Sequence, residues 1–211
     1  VVAPLVSVIT SLSFDHTAWL GDTLAQIAAE KAGIIKPGVA VVSAPQSPEA
    51  LRVIEQRCAE LNSPLTLVGR DWRFESGEIS AAGQAFFVMP PLPSRWRSSP
   101  PERIPLFTNL LGRHQLVNAT VALATLSHLA QAGLETSPRH MRQGLANVAW
   151  PARLEVLNVE PPVICDGAHN GDSAQRLVEA LNEWFPGRQW RLIFGASSDK
   201  DIDAMFQALL P

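Results

Sequence analysis

The stretch from Leu5 to Ala44 constrains the fold more than any other part of the chain. An unbroken apolar run, LVSVITSL (5–12), is followed by a polar turn, an amphipathic segment and a second apolar run, VAVVSA (39–44). A strand buried on both faces loses the alternation of a half-exposed one, and two such strands separated by a helix form a parallel β-α-β unit. Thr23 and Gln26 stand at capping-box spacing and Gly33 precedes the Pro37-Gly38 turn, so the spacing predicts a helix over 23–32.

The alternation continues, which points to α/β layers rather than a sandwich or a bundle. A helix is expected from Pro48 to about Leu61, then a strand LTLV, and then WRFE and AFFVMP, separated by SGEISAAGQ, as antiparallel hairpin pieces. Pro90, Pro91, Pro93, Pro100, Pro101 and Pro105 exclude a central strand between 90 and 105. A largely apolar helix over 115–132 and a shorter one over 141–146 follow. After NVAWPARLEVLNVEPP, a strand VICD, a helix over 173–184, a strand WRLIFG (190–195) and a helix from about Ile202 predict a second β-α-β-α unit beginning near Arg153.

Composition narrows the partners. The 211 residues are 46% apolar, enough for packed cores, and a net charge of −3 with no long run of one sign excludes a nucleic-acid or anionic-membrane surface. Cys58 and Cys165 lie outside any CxxC pattern, as expected of small core residues in a reduced, cytoplasmic chain. The most apolar stretch, LVNATVALATLSHLAQAGL, is broken by Asn118, Thr120, Thr125, Ser127, His128 and Gln131, too polar for a membrane span. The start at Val1 and the stop at FQALLP, inside a helix signal, read as an internal fragment.

Three strand ends share one layout, with polar residues between the strand and the following helix. These are Asp15 and His16 after 5–12, Asp166, His169 and Asn170 after VIC, and Ser197, Ser198, Asp199 and Lys200 after LIFG. In open α/β sheets ligands bind at this edge, although any one of these residues alone suits a helix cap or a turn. Lys31 shares the i, i+3, i+4, i+7 stripe of Leu24, Ile27 and Ala28. It is either a lysine snorkelling from the helix end or an amine pushed toward its neutral, nucleophilic form by desolvation. Asn118, a buried amide in an apolar helix, needs partners that backbone groups or a ligand such as an adenine edge could supply.

The motifs SFDHTAWLGDTLAQIAAEKAGIIKPG, LLGRHQLVNATVALA, PARLEVL, VICDGAHN and FGASSDKD, in this order, make the chain similar to folylpolyglutamate synthases and bifunctional dihydrofolate synthases of the Mur ligase superfamily. The resemblance implies an α/β fold with part of a P-loop-type mononucleotide-binding central domain over 1–152 and part of a Rossmann-like glutamate-ligase domain over 153–211. It implies an ATP-dependent, Mg²⁺-dependent amide ligase, monomeric, that activates a folate or dihydropteroate carboxylate as an acyl phosphate for attack by L-glutamate. It makes His16 a Mg²⁺ ligand and Lys31 the site of a carbamate. Gln115 and Asn118 fall to adenine recognition, Arg153 to the nucleotide phosphates at the interdomain hinge, and Asp166 to the ribose or phosphate side. Lys31, His169 and Lys200 form the expected catalytic set.

One departure matters for activity: no G-x-x-x-x-G-K-[ST] occurs in the 211 residues, so the backbone cradle for β- and γ-phosphates and the hydroxyl ligand to Mg²⁺ are lacking here. The polypeptide alone is therefore expected to be inactive. The competing readings are another Mur-type ligase, building peptidoglycan or cyanophycin, and a non-catalytic interaction fragment.

Overall fold

The computed structural model describes residues 2–14, 21–91, 103–134 and 136–210. Its elements run β1 (Val6–Ile9), α1 (Leu24–Ala32), β2 (Ala40–Ser43), α2 (Pro48–Glu60), β3 (Leu65–Leu67), β4 (Arg73–Ser80), β5 (Gly83–Met89), β6 (Ile104–Thr108), α3 (Arg113–Gln131) and α4 (Pro138–Ala146). There follow β7 (Glu155–Val159), β8 (Pro162–Cys165), α5 (Gly171–Trp184) and α6 (Ile202–Leu209).

β1, β2 and β3 form a parallel sheet in that order, with Val6 opposite Ala40 and Val41 opposite Leu65. Successive side chains of a strand point to opposite faces. Val41 accordingly packs with Ile9, Ala32, Ile35 and Ile54 on the side of α1 and α2, while Val42 packs with Leu116 and Leu123 on the side of α3. The Thr23–Gln26 capping box is formed, with the Gln26 amide N–H donating to Thr23 Oγ1 and the Thr23 N–H donating to Gln26 Oε1.

The hairpin pieces are longer than expected, and a third strand joins them. β4, β5 and β6 make an antiparallel sheet whose Phe86, Val88 and Leu106 pack under α3. β6 contains Pro105, opposite Phe87, in a strand at the sheet edge where a missing N–H is tolerated. Buried Gln84 donates from Nε2 to the carbonyls of Leu110 (2.7 Å) and Gly112 (2.9 Å), fixing the loop that launches α3.

The second unit departs from its expected order. β7 and β8 pair antiparallel as a hairpin before α5, and residues 190–195, expected as a strand, form none. A strand needs a backbone partner as well as apolar side chains, and among the described residues nothing pairs with this segment. Its Ile193 is 99% exposed. Among the described residues the parallel strand pairs are β1–β2 and β2–β3. No described helix is long and apolar enough to cross a membrane, and both cysteines are free, Cys58 buried and Cys165 half-buried.

Candidate functional site

The carboxyl end of β1 opens into a cavity of about 320 Å³ lined by Val8 to Ser13, Ile27, Lys31, Ile34 and Asn170. Lys31 thus faces the end of the first strand, as the helix register implies, but it is exposed rather than buried. Only Ile27, Ala28 and Ala32 of α1 are buried, so the desolvation expected for the Lys31 amine is not found among the described residues. Asp15 and His16, the metal-side candidates, lie outside the described residues. Among those described, no group of three His, Cys, Asp or Glu is placed to hold a metal.

Asn170 brings the second unit to this cavity. It is the N-cap of α5, with its Oδ1 accepting from the Ser173 N–H at 2.8 Å and the Ser173 hydroxyl closing the reciprocal bond. The capping role weighed for it is therefore real, and the cap turns its residue toward β1. His169, next to it, is exposed, with Nδ1 2.9 Å from the Gly167 carbonyl. Lys200 is half-buried in the turn before α6, which Asp201 rather than Asp199 caps.

A second cavity, about 450 Å³, lies where the two units join and is lined by Asn109 to Leu111, Ala146 to Pro151 and Arg153 to Val156. Arg153 is exposed on its wall. Its neighbours Ala152 (φ 57°) and Leu154 (φ 47°) both have left-handed backbone, a conformation that costs a non-glycine residue of order 1 kcal/mol or more. Three hydrogen bonds hold it. Glu155 Oε2 accepts from the Ala152 N–H at 2.8 Å, Asp166 Oδ2 from the Leu154 N–H at 2.7 Å, and the Ala152 carbonyl from the Gly167 N–H at 2.8 Å. Asp166 Oδ1 accepts in turn from the Ala168 N–H at 2.7 Å. Both oxygens of Asp166, expected on the ribose or phosphate side, are thus engaged in clasping the hinge.

The amino end of α3 carries the amides. Gln115 is buried, but Asn118 is exposed, a correction to its expected burial: α3 turns Arg113, Asn118, Ala122 and Gln131 outward. Asn118 Nδ2 donates to Gln115 Oε1 at 3.1 Å, and Gln115 Nε2 lies 3.1 Å from His114 Nε2. His114 is a residue that the motif reading passed over, although it stands inside LLGRHQ. Burial pushes its imidazolium below the ordinary histidine range, and Arg176 and Arg153 add to that while Asp166 and Asp172 oppose it. The structure therefore brings His114, Arg153 and Asp166 into one electrostatic neighbourhood across the joint between the units. Gly112 (φ 98°) makes room for the ring: a Cβ there would come 2.6 Å from His114 Cε1.

Residues 152–210 match the Mur ligase, glutamate ligase domain family. Together with the hinge that precedes it, this match marks the second unit as a Mur ligase-type domain. Over 210 residues the chain is 34% identical both to dihydrofolate synthase/folylpolyglutamate synthase of Bacillus subtilis and to folylpolyglutamate synthase of Lacticaseibacillus casei, covering 99% of this chain and 47% of each relative. A solved complex of folylpolyglutamate synthase (FPGS) with AMPPCP and folate superposes with a TM-score of 0.85 at 32% identity, over 98% of this chain and 49% of that one. Over nearly its whole length the chain is therefore similar to the folylpolyglutamate synthase/dihydrofolate synthase family. It spans about half the length of the curated relatives it matches.

Proposed function

We propose that the protein carrying this chain is an ATP-dependent ligase joining L-glutamate to a folate or dihydropteroate carboxylate, with residues 1–152 and 153–211 contributing to its ATP-binding and glutamate-ligase domains. The observation that carries this reading is the convergence of both units on the carboxyl end of β1, where Lys31 and Asn170 line one cavity. The similarity to a folylpolyglutamate synthase solved with AMPPCP and folate supports the same substrates.

In this reading the adenine edge meets Asn118 and Gln115, and the Arg153 guanidinium offers its fixed donors to phosphate oxygens. Asp166 positions that arginine through the Leu154 and Ala168 amides rather than by touching nucleotide. A substrate carboxylate oxygen attacks the γ-phosphorus, ADP leaves, and the acyl phosphate forms. The glutamate amine then adds to the acyl carbon, phosphate leaves and the amine loses its proton. Lys31, His169 and Lys200 face the reacting side. The finer role of Lys31 is to lose one proton and, as the neutral amine, to add CO₂, forming an N–C bond and releasing a second proton, so that a cation becomes an anion. His16 is the Mg²⁺ ligand by resemblance, but the described residues supply no complete ligand set, and no step above depends on the metal.

Lys31→Ala in the full gene product tests the reading. Ligated folate and ADP release should both fall by at least about a hundredfold, on the scale of lost electrostatic stabilisation at a reacting centre. The 211-residue chain alone, without a G-x-x-x-x-G-K-[ST] loop, should release no ADP. Undiminished ligation in the variant would overturn the assignment.

A further inference from the structure

His114, Gln115 and Asn118 form a chain of contacts that ends at an exposed amide. Gln115 Nε2 can only donate, so His114 Nε2 at 3.1 Å must accept, which requires the neutral ring with its proton on Nδ1. Gln115 Oε1 then faces α3's next turn and accepts from Asn118 Nδ2 at 3.1 Å. Asn118 Oδ1 has no hydrogen-bond partner among the described residues, so the amide presents an acceptor together with its second N–H. That pairing complements a 6-aminopurine edge, which offers an amino donor beside a ring-nitrogen acceptor, and mismatches a 6-oxopurine.

We propose that His114 is a positioning residue for the nucleotide base: its unprotonated Nε2 fixes the Gln115 amide, and through it the Asn118 amide, in the orientation that selects an amino-purine over an oxo-purine. The inference rests on the reading that Asn118 meets the base. Placing a proton on Nε2 sets donor against donor. Gln115, buried and with little access to water, turns its oxygen to the ring, its Nε2 then opposes Asn118 Nδ2, and Asn118 turns over in sequence. The groups around the ring hold the relay in one setting. Arg153 from the hinge and Arg176 from α5 disfavour the imidazolium, Asp166 beyond β8 and Asp172 in α5 oppose them, and burial sides with the arginines. Gly112 presses close to the Nδ1 side and leaves no room for ring displacement by a larger residue.

Two measurements test this. In the chain itself, long-range proton–nitrogen correlation spectra should show the Nδ1–H tautomer of His114, and the Asn118 side-chain amide signals should move with the His114 titration. An Nε2–H tautomer, or Asn118 signals indifferent to that titration, overturns the relay. In the full gene product, His114→Phe keeps a ring but removes the acceptor. The preference for ATP over ITP, taken as the ratio of their KM values, should fall about tenfold, the worth of one misplaced hydrogen bond, with kcat for ATP little changed. His114→Gln, which returns an oxygen near the Nε2 position, should restore it. An unchanged ratio in His114→Phe removes the selectivity role. Unchanged ATP KM in Asn118→Ala removes the base-reading assumption instead, while the spectra still decide whether His114 orients the amides.

Discussion

Val41 and Val42 of β2 are both fully buried, one on each face of the parallel sheet, whereas Val159 and Val163 of the β7–β8 hairpin are 67% and 47% exposed. The residue type is the same and the backbone is extended in both places. What differs is the number of layers. β2 has strands on both edges and helices over both faces, while the two-stranded hairpin is packed by α5 through Val156, Ile164, Leu177 and Leu181 around Leu154 and Ala180. A lone hairpin is marginal unless something packs on it. Apolar sequence proposes a strand; neighbours decide whether it is buried.

That contrast predicts a steep gradient of mutational cost. Ile54→Ala, at a fully buried site against β2, should cost about 2–5 kcal/mol in chemical denaturation. Ile193→Ala, at the exposed site in 190–195, should stay within about 0.5 kcal/mol. Equal costs would break the comparison by showing that the second unit's apolar segment is buried in solution.

A smaller effect is expected at the joint between the regions. Asp166→Ala removes the acceptor of the Leu154 and Ala168 N–H groups and should cost about 1–3 kcal/mol, read in the same unfolding experiment. If Asp166 acts only on nucleotide, stability will not move and only ATP affinity will.

A further, modest effect sharpens the comparison from the first unit's side. His128 on α3 lies 2.9 Å from Thr66 Oγ1 in β3, and burial lowers its imidazolium below the ordinary range. The unfolded chain then binds the proton more readily, so stability rises with pH through this window. The contribution is complete above about pH 6.5 and is lost as pH falls below it, through the folded-state value. Thr66→Val should cost about 1 kcal/mol at neutral pH. Thermal midpoints of wild type and His128→Gln, followed from pH 7.5 to 5, should converge as the pH falls; parallel curves would remove His128 from the account.

The first unit was legible in the sequence because its signals agree at every level. The uninterrupted runs 5–12 and 39–44, the Thr23–Gln26 box and the Gly33 stop all specify the β-α-β unit that forms. β6 was hidden by Pro105, whose exclusion from central strands says nothing against an edge strand. Lys31 shows where periodicity runs out: the stripe fixes its direction toward β1, but burial depends on what stands opposite, which a register does not contain. Asn118 failed differently, since an apolar helix of 19 residues still has an outward line, and Asn118 falls on it while Gln115 does not. The hinge clasp was unreadable for a plainer reason. Asp166 meets Leu154 across twelve positions of chain, and no local pattern records that a carboxylate is spent on backbone.

The left-handed pair Ala152 and Leu154 also bears on how this joint can drift over generations. Glycine at either position would relieve the backbone and would be the easy solution for a turn that needs only to exist. Side chains there narrow the backbone's alternatives compared with glycine, and the hydrogen bonds to Glu155, Asp166 and Gly167 hold the turn in its left-handed form. Lineages that exchange either residue for glycine should retain the same architecture while losing the definition of that turn, and the Arg153 they carry would sweep an arc where this one holds a bearing.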